Sequence, residues 1–333
     1  MKAVLSMFLA AACILTFGMA QAADTVTGAG ATFPEPVYKS WALAYNKATG
    51  IQINYQGIGS GGGIRQITTR TVDFGASDAP LDPKQLNKDG LLQFPAVIGG
   101  VVLVVNLPGV QAGQMTLDSD AVCKIYLGEI KTWDDPYLKS LNPRMNLPHA
   151  PINVVHRSDG SGTTAIFTSY LSGQCPEWAK KVGHDTSVNW PVGIGGKGNP
   201  GVANYVKQAP NSIGYVELQY AKAEHLAYTL LKYKGKIMSP TPEAFKDAAA
   251  TADFDPHKHF DLWLVNAPKG WPIAGATFIL LAKDRKASSE KTIKFYDWAF
   301  KNGDKTVEDM FYVPLPTALK NKIRAYWKAN SLQ

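Results

Sequence analysis

A chain of 333 residues is too long for one ordinary hydrophobic core and suits two lobes of roughly 150 residues each. Apolar residues make up 45 % and charged residues 18 %, a composition that excludes intrinsic disorder and fits a folded, soluble protein. The formal charge of +7 is spread thinly, with no dense Lys/Arg run and no aromatics interleaved among basic residues. This excludes nucleic acid as a partner and leaves a mildly basic surface that gathers anions.

The N-terminus differs from the rest. Lys2 is followed by an almost wholly apolar stretch, 3–20, and then by Ala20-Gln21-Ala22, small residues at the two positions a signal peptidase reads. Residues 1–22 are expected to be a cleaved secretory signal; a single membrane anchor is the alternative. No later run approaches the roughly 20 apolar residues a spanning helix needs. The longest, 97–107, contains Gly99, Gly100 and Asn106 and reads as a buried strand. The chain is therefore expected to be exported. Of three cysteines, Cys13 leaves with the signal. Cys123 and Cys175 remain as a candidate disulfide, and with no CxxC or Cys/His cluster a zinc site is not expected.

Strand-like and helix-like runs then alternate, which predicts an α/β architecture. Segment 34–49 is a predicted helix with Val37, Trp41, Ala44 and Ala48 on one face and Gly50 as its stop. Ile51-Gln52-Ile53-Asn54-Tyr55 alternates as a strand does. Asp82-Pro83 and Gly90 bracket a short helix: cap, first-turn proline, terminal glycine. Strands are predicted at 72–76, 152–156, 213–216 and 277–281, and helices at 291–302 and 317–329. Two lobes without a linker require crossing strands. Segment 95–106 is the expected first crossing and 271–281 the return. Lobe I would then be discontinuous, 23–106 plus about 265–333, and lobe II would be about 107–264.

Three glycine-rich segments each precede a predicted helix: Gly28-Ala29-Gly30-Ala31-Thr32-Phe33-Pro34, Gly57-Ile58-Gly59-Ser60-Gly61-Gly62-Gly63 and Asp159-Gly160-Ser161-Gly162-Thr163-Thr164. A helix start presents unpaired N–H groups and a positive partial charge; glycine allows close approach and Ser or Thr adds a hydroxyl. Any one of them is an ordinary turn and cap. Three together can surround a small tetrahedral oxyanion. Arg157, four residues before Ser161, offers a guanidinium fork to such an anion. Asp78, at the end of Asp73-Phe74-Gly75-Ala76-Ser77-Asp78, is out of place beside an anion unless the anion carries a proton, as phosphate does and sulfate does not.

Competing motifs are weaker. Gly57-Ile58-Gly59-Ser60-Gly61-Gly62 matches GxGxxG, with Asp78 standing 21 residues after Gly57, as in a dinucleotide fold; that reading leaves the other two segments unexplained. Gly196-Lys197 is not a P-loop, because residue 191 is Pro and Gly198 replaces the Ser or Thr. No GxSxG elbow surrounds Ser60 or Ser161. The histidines lack metal spacing, and His257 and His259 are expected to be exposed.

These segments, with Arg157-Ser158-Asp159-Gly160-Ser161-Gly162-Thr163, Tyr126-Leu127-Gly128, Gly195-Gly196-Lys197-Gly198-Asn199 and Ile213-Gly214-Tyr215-Val216-Glu217, resemble the periplasmic phosphate-binding proteins of high-affinity phosphate ABC importers. The resemblance covers nearly all of the chain after the signal. It implies a type II periplasmic-binding-protein fold, two α/β lobes over one dehydrated phosphate. It also implies donors at Thr32, Phe33, Ser60, Ser161, Gly162 and Thr163, Arg157 as charge partner, Asp159 holding Arg157, and Asp78 accepting the ligand's proton. The implied partners are inorganic phosphate and membrane permease subunits, with no cofactor, no metal, a monomeric state and a periplasmic location. Gly61 stands where relatives often carry a second serine. Rival expectations are an exported phosphate-ester hydrolase, for which no nucleophile–base pair or metal set is visible, and a dinucleotide-binding oxidoreductase.

Overall fold

The computed structural model describes residues 25–332; the expected signal at 1–22 and Cys13 lie outside them. The described residues open with β1 (Thr25–Gly30), α1 (Glu35–Thr49), β2 (Gln52–Gly57), α2 (Ser60–Thr68), β3 (Phe74–Ser77), α3 (Pro83–Asp89) and β4 (Leu91–Asn106). The middle holds β5 (Thr116–Asp118), α4 (Ser119–Tyr126), α5 (Pro136–Leu141), β6 (Asn153–Arg157), α6 (Gly162–Gln174), α7 (Pro176–Lys181), β7 (Ile194–Gly196), α8 (Gly198–Gln208), β8 (Ser212–Glu217) and α9 (Leu218–Ala223). There follow β9 (Ala227–Tyr228), β10 (Leu230–Tyr233), β11 (Lys236–Met238), α10 (Pro242–Ala249), β12 (Ala274–Ala282), α11 (Lys286–Asn302), α12 (Asp304–Asp309) and α13 (Thr317–Ala329).

One long strand organises the molecule. The main sheet runs β2-β1-β3-β12-β4-β8-β6-β7, with β9 also on β4; β11-β10-β5 form a small second sheet. β4 changes partner part-way. Leu91 to Gly100 pairs antiparallel with β12, and Val101 to Asn106 pairs antiparallel with β8. The change falls at Gly99-Gly100, where a Cβ on Gly100 would lie 2.2 Å from the Phe245 ring. Side chains are excluded there because α10 packs directly on the backbone. The return of the chain is tied to the same point: Val101 N–H donates to the Ile273 carbonyl (2.9 Å) and Trp271 Nε1 to the Val101 carbonyl (2.8 Å).

The outer pairs β1–β2, β1–β3, β6–β7 and β6–β8 are parallel, whereas β12 and β4 at the centre are antiparallel; β3, β4 and β12 are buried along nearly their whole length, which accounts for their near-continuous apolar runs. Tyr38, Trp41, Tyr55, Phe74, Phe94 and Tyr296 form one aromatic cluster within the continuous core. Tyr126, Phe167 and Tyr215, with the half-buried Trp190, form a second.

Several local expectations needed correction. α1 buries Val37, Tyr38, Trp41, Ala42 and Tyr45, whereas Ala44 and Ala48 face solvent. The large tyrosines, packing on Tyr55, Phe295 and Tyr296, turn the helix toward themselves and away from the small alanines. Gly28 and Gly30 belong to β1, so the first glycine segment begins as a strand end and reaches the start of α1 only at its cap, Pro34. His257 is exposed, but His259 is half-buried and its Nδ1 lies 2.7 Å from the Tyr326 hydroxyl. The first expected crossing, 95–106, is the second part of a strand that begins at Leu91.

Cys123 on α4 is bonded to Cys175, which stands between α6 and α7, with Cα atoms 6.4 Å apart. The closed loop spans 52 residues, worth about 4 kcal/mol in the chain-entropy account. Titration of free thiols in unfolded, unreduced protein lacking residues 1–22 should find none, and reduction should lower the melting temperature. Two free thiols would contradict the bond.

Candidate functional site

The site forms where the loops after β1, β2 and β3 meet the starts of α6 and α8. Gly59, at φ 87°, turns the chain from β2 into α2 so that Ser60 becomes the first helical residue, fully buried. The Ser60 hydroxyl oxygen accepts two backbone N–H groups, Asp78 (3.1 Å) and Gly162 (3.0 Å). It thus ties the end of β3 to the start of α6 and keeps its own hydrogen free to donate. Gly61 N–H reaches the Gly160 carbonyl (3.0 Å). Ser161 caps α6, accepting from Thr164 N–H (3.0 Å).

Thr32 and Thr163 are joined through a residue from α8. Asn199 donates its backbone N–H (3.1 Å) and its Nδ2 (2.9 Å) to Thr32 Oγ1, and Nδ2 also to Thr163 Oγ1 (3.0 Å). Phe33 is buried with its ring edge-on to Tyr312, whose hydroxyl donates to the Phe33 carbonyl (2.6 Å). Residues far apart in the chain are thus joined in three buried sets: Asp78 and Gly162 through Ser60, Thr32 and Thr163 through Asn199, and Arg157 with Ser161 through Tyr215 and Thr164.

Two charged groups belong to these sets. The Arg157 guanidinium is gripped by Asp159 through Nε–Oδ1 (2.8 Å) and Nη2–Oδ2 (2.6 Å). Asp159 Oδ1 also accepts Gly198 N–H (2.9 Å). Burial pushes the Asp159 carboxyl up, but the bonds and charge of Arg157 and the Gly198 N–H more than offset it and hold the carboxyl below its ordinary value. Among the described residues, Arg157 Nη1 has no partner although its side chain is 1 % exposed. Asp78 is the counterpart. It is 2 % exposed, and neither carboxylate oxygen has a hydrogen-bond partner among the described residues. Burial pushes its pKa up to about 7; the Thr277 hydroxyl, the Arg157 charge and the Ser60 hydroxyl pull it back without forming a bond of normal geometry to either oxygen.

A buried polar atom without a partner costs about 1–3 kcal/mol, more when charged. Here an unpaired N–H donor and an unpaired carboxylate acceptor are both buried, close enough for the arginine charge to act on the carboxyl. A small group that accepts from Arg157 and Ser60 and donates an O–H to Asp78 satisfies both. Open cavities of about 460 Å³ and 680 Å³ lie elsewhere, beside β6–β7 and α10, and include none of these residues. Among the described residues no His/Cys/Asp/Glu cluster could hold a metal.

The family model described as PBP superfamily domain matches residues 16–302. Phosphate-binding protein PstS of Xylella fastidiosa is 49 % identical over 307 residues, covering 91 % of this chain and 84 % of that one. Phosphate-binding protein PstS of Haemophilus influenzae is 47 % identical over 328 residues, covering 96 % and 98 %. The chain belongs to the PstS family of phosphate-binding proteins. Two solved structures share its fold. A high-affinity periplasmic phosphate-binding protein (PfluDING), bound with phosphate, has a TM-score of 0.73 at 21 % identity, covering 90 % of this chain and 93 % of that one. A putative phosphate ABC transporter substrate-binding protein from Clostridium perfringens, with bound phosphate, has a TM-score of 0.65 at 19 % identity, covering 88 % and 100 %.

Sequence reasoning missed three residues of this PstS-family site. Asn199 bridges Thr32 and Thr163; the run Gly195-Gly196-Lys197-Gly198-Asn199 before α8 carried the signal for a further glycine-rich helix start. The Tyr215 hydroxyl accepts Arg157 N–H (3.1 Å) and lies 2.6 Å from Thr164 Oγ1, bracing the arginine strand against α6; no local pattern marks it. Glu217, fully buried, donates its backbone N–H to Asn199 Oδ1 (2.9 Å).

Proposed function

We propose that this PstS-family chain captures inorganic phosphate between two lobes and hands it to the permease of an ABC importer, performing no chemistry. The observation that carries the reading is Asp78, a buried carboxylate with no donor, set beside an arginine with an N–H to spare. Phosphate keeps a proton at neutral pH and satisfies both at once. Arg157 is its charge partner, held by Asp159, and Asp78 accepts its proton. Thr32, Phe33, Ser60, Ser161, Gly162 and Thr163 supply backbone and hydroxyl donors. The relatives' printed names support phosphate as the ligand.

Lobe I is 23–106 plus about 265–333 and lobe II about 107–264, hinged where β4 changes partners. The pattern of residues 1–22 supports export to the periplasm with cleavage near Ala22, and the chain works as a monomer. Calorimetry on stripped protein at a pH well above the Asp78 value of about 7 should show saturable phosphate binding, no sulfate binding at the same concentrations, and competition by arsenate, a near-isostere. Equal binding of sulfate would overturn the reading. Phosphate esters should not be turned over.

Arg157→Ala should weaken phosphate binding roughly ten- to hundredfold, the worth of a charge-assisted bond of about 1.5–3 kcal/mol. The helix starts continue to supply neutral donors. Complete loss of binding in a folded variant would mean that the arginine charge dominates and the backbone donors matter little.

A further inference from the structure

Near Asp78 lies a set of buried hydroxyls that the binding reading leaves unused. Thr277 on β12, Tyr38 on α1 and Tyr296 on α11 are all buried, and among the described residues none of their hydroxyls has a hydrogen-bond partner of normal geometry. Three such groups in an apolar core beside an unpaired carboxylate are hard to explain as packing alone, since each costs about 1–3 kcal/mol.

Their arrangement is directed. β12 runs antiparallel to β3 with Phe278 opposite Ser77, so Thr277 faces Asp78 at the next rung. Next to this position the β12–β4 register shifts: Thr277 pairs with Val97 and Phe278 with Pro95, leaving Ala96 as an extra residue. A bulge of this kind re-aims side chains beside it. The Tyr38 and Tyr296 rings meet edge to face at 5.7 Å, and the Thr277 hydroxyl adjoins Tyr38 as well as Asp78.

We propose that Thr277 is the positioning residue of the anion site: its hydroxyl donates to one Asp78 oxygen, backed by Tyr38 and then Tyr296, and so keeps Asp78 an ionised acceptor with its other oxygen turned to the ligand. This rests on the phosphate reading. A threonine hydroxyl has one hydrogen and two lone pairs. With Tyr38 donating to Thr277 and Tyr296 to Tyr38, each hydroxyl is satisfied and the Thr277 hydrogen is committed to Asp78. Without Thr277, a buried Asp78 is more easily protonated; it then becomes a donor and accepts an unprotonated oxyanion such as sulfate.

The other groups facing Asp78 are Arg157 from β6, Glu217 from the end of β8, and the tyrosines Tyr38, Tyr55, Tyr220 and Tyr312. Burial raises all four tyrosines, which stay neutral between pH 5 and 9. Glu217 is also raised by burial, so the experiment is run in parallel in a Glu217→Gln background to remove its titration.

Phosphate and sulfate affinities are measured by calorimetry from pH 5 to 9 for the parent, Thr277→Val and Thr277→Ser. Valine keeps the volume and removes the hydroxyl; serine keeps the hydroxyl. In Thr277→Val the pH below which sulfate binds should move up by about one unit, and the phosphate-to-sulfate affinity ratio at pH 7.5 should fall roughly tenfold. Thr277→Ser should restore the parent profile. A Thr277→Val profile identical to the parent's, in a protein that selects phosphate through Asp78, overturns the role of Thr277 alone. If Asp78→Asn is as selective as the parent, the underlying reading of the site fails, whatever Thr277 does. A Thr277→Val variant that does not fold leaves Thr277→Ser and Tyr38→Phe to decide: a parent profile in Tyr38→Phe removes the backing chain.

Discussion

Asp78→Asn should keep appreciable phosphate affinity and lose most of its preference over sulfate. The two anions are close in size and shape, so a cradle of N–H and O–H donors accepts either. A buried ionised carboxylate separates them. Against a protonated phosphate oxygen it gains a charge-assisted hydrogen bond; against sulfate it meets an unprotonated oxygen with no water to screen the repulsion. The bond alone is about 1.5–3 kcal/mol, and about 1.4 kcal/mol is tenfold, so the affinity ratio should drop at least roughly a hundredfold once the repulsion is included. Asparagine presents an N–H instead, which both anions accept.

The pH dependence follows from the same carboxylate. Burial pushes the Asp78 pKa up to about 7, so the parent should discriminate fully above that pH and admit sulfate as the pH falls through it, while the asparagine variant shows no such dependence. For stability the sign is fixed: a raised pKa means the ionised form costs stability above the folded value, and that cost disappears below the unfolded value near ~4. Asp78→Asn should therefore melt higher than the parent at pH 8 and equally at pH 4. Competition titrations at fixed ionic strength measure the selectivity. A variant that excludes sulfate as well as the parent does would remove Asp78 from the selectivity mechanism.

Gly162→Ala should have the largest effect on affinity of any single methyl. A Cβ at this position would lie 2.5 Å from Ser60 Oγ and 2.6 Å from both Cβ and Oδ2 of Asp78. All three atoms come from the loops after β2 and β3, and Gly162 N–H itself donates to Ser60. The clash is with buried, short side chains that have nowhere to swing. The loops after β2 and β3 must then draw back from α6, and the Ser60 bond is lost with them. Overpacking of about 1–3 kcal/mol plus one buried hydrogen bond of about 1 kcal/mol weakens phosphate binding by roughly thirty- to a thousandfold. The fold itself relaxes by opening the cleft, so the melting temperature without phosphate should barely change. Gly61→Ala is the control: its Cβ would approach no closer than 3.2 Å, to Gly160 Cα, and its effect should be within a fewfold. Unchanged affinity in Gly162→Ala would show that phosphate is held without the contact between α6 and Ser60.

Much of this molecule is written in short stretches of sequence, because the forces that specify them act between near neighbours. Asp82 caps α3 by accepting Gln85 N–H (2.9 Å) and Gly90 ends it at φ 64°, as cap, proline and glycine predict. Ser161 caps α6, and α13 spans Thr317–Ala329 as its pattern indicates. The glycine–hydroxyl runs are legible for the same reason, whereas Asp159 holding Arg157 comes from the family resemblance. Other features exist only once distant segments meet. Ala44 and Ala48 have the spacing of a buried stripe, but the position of Tyr296, far along the chain, decides which face of α1 is inside. β4 reads as one apolar run, and nothing in its residues says that its partner changes from β12 to β8 at Gly100. The glycine-rich run before Asn199 marks a helix start but not its partner, and Thr277 has no unusual neighbours in sequence; one stands against Thr32 and the other against Asp78 only once the chain has folded. A helix cap or a turn is specified by interactions over three or four residues. Strand partners, and the partners of a buried carboxylate, are specified by burial of the whole chain, and only the tertiary structure decides them.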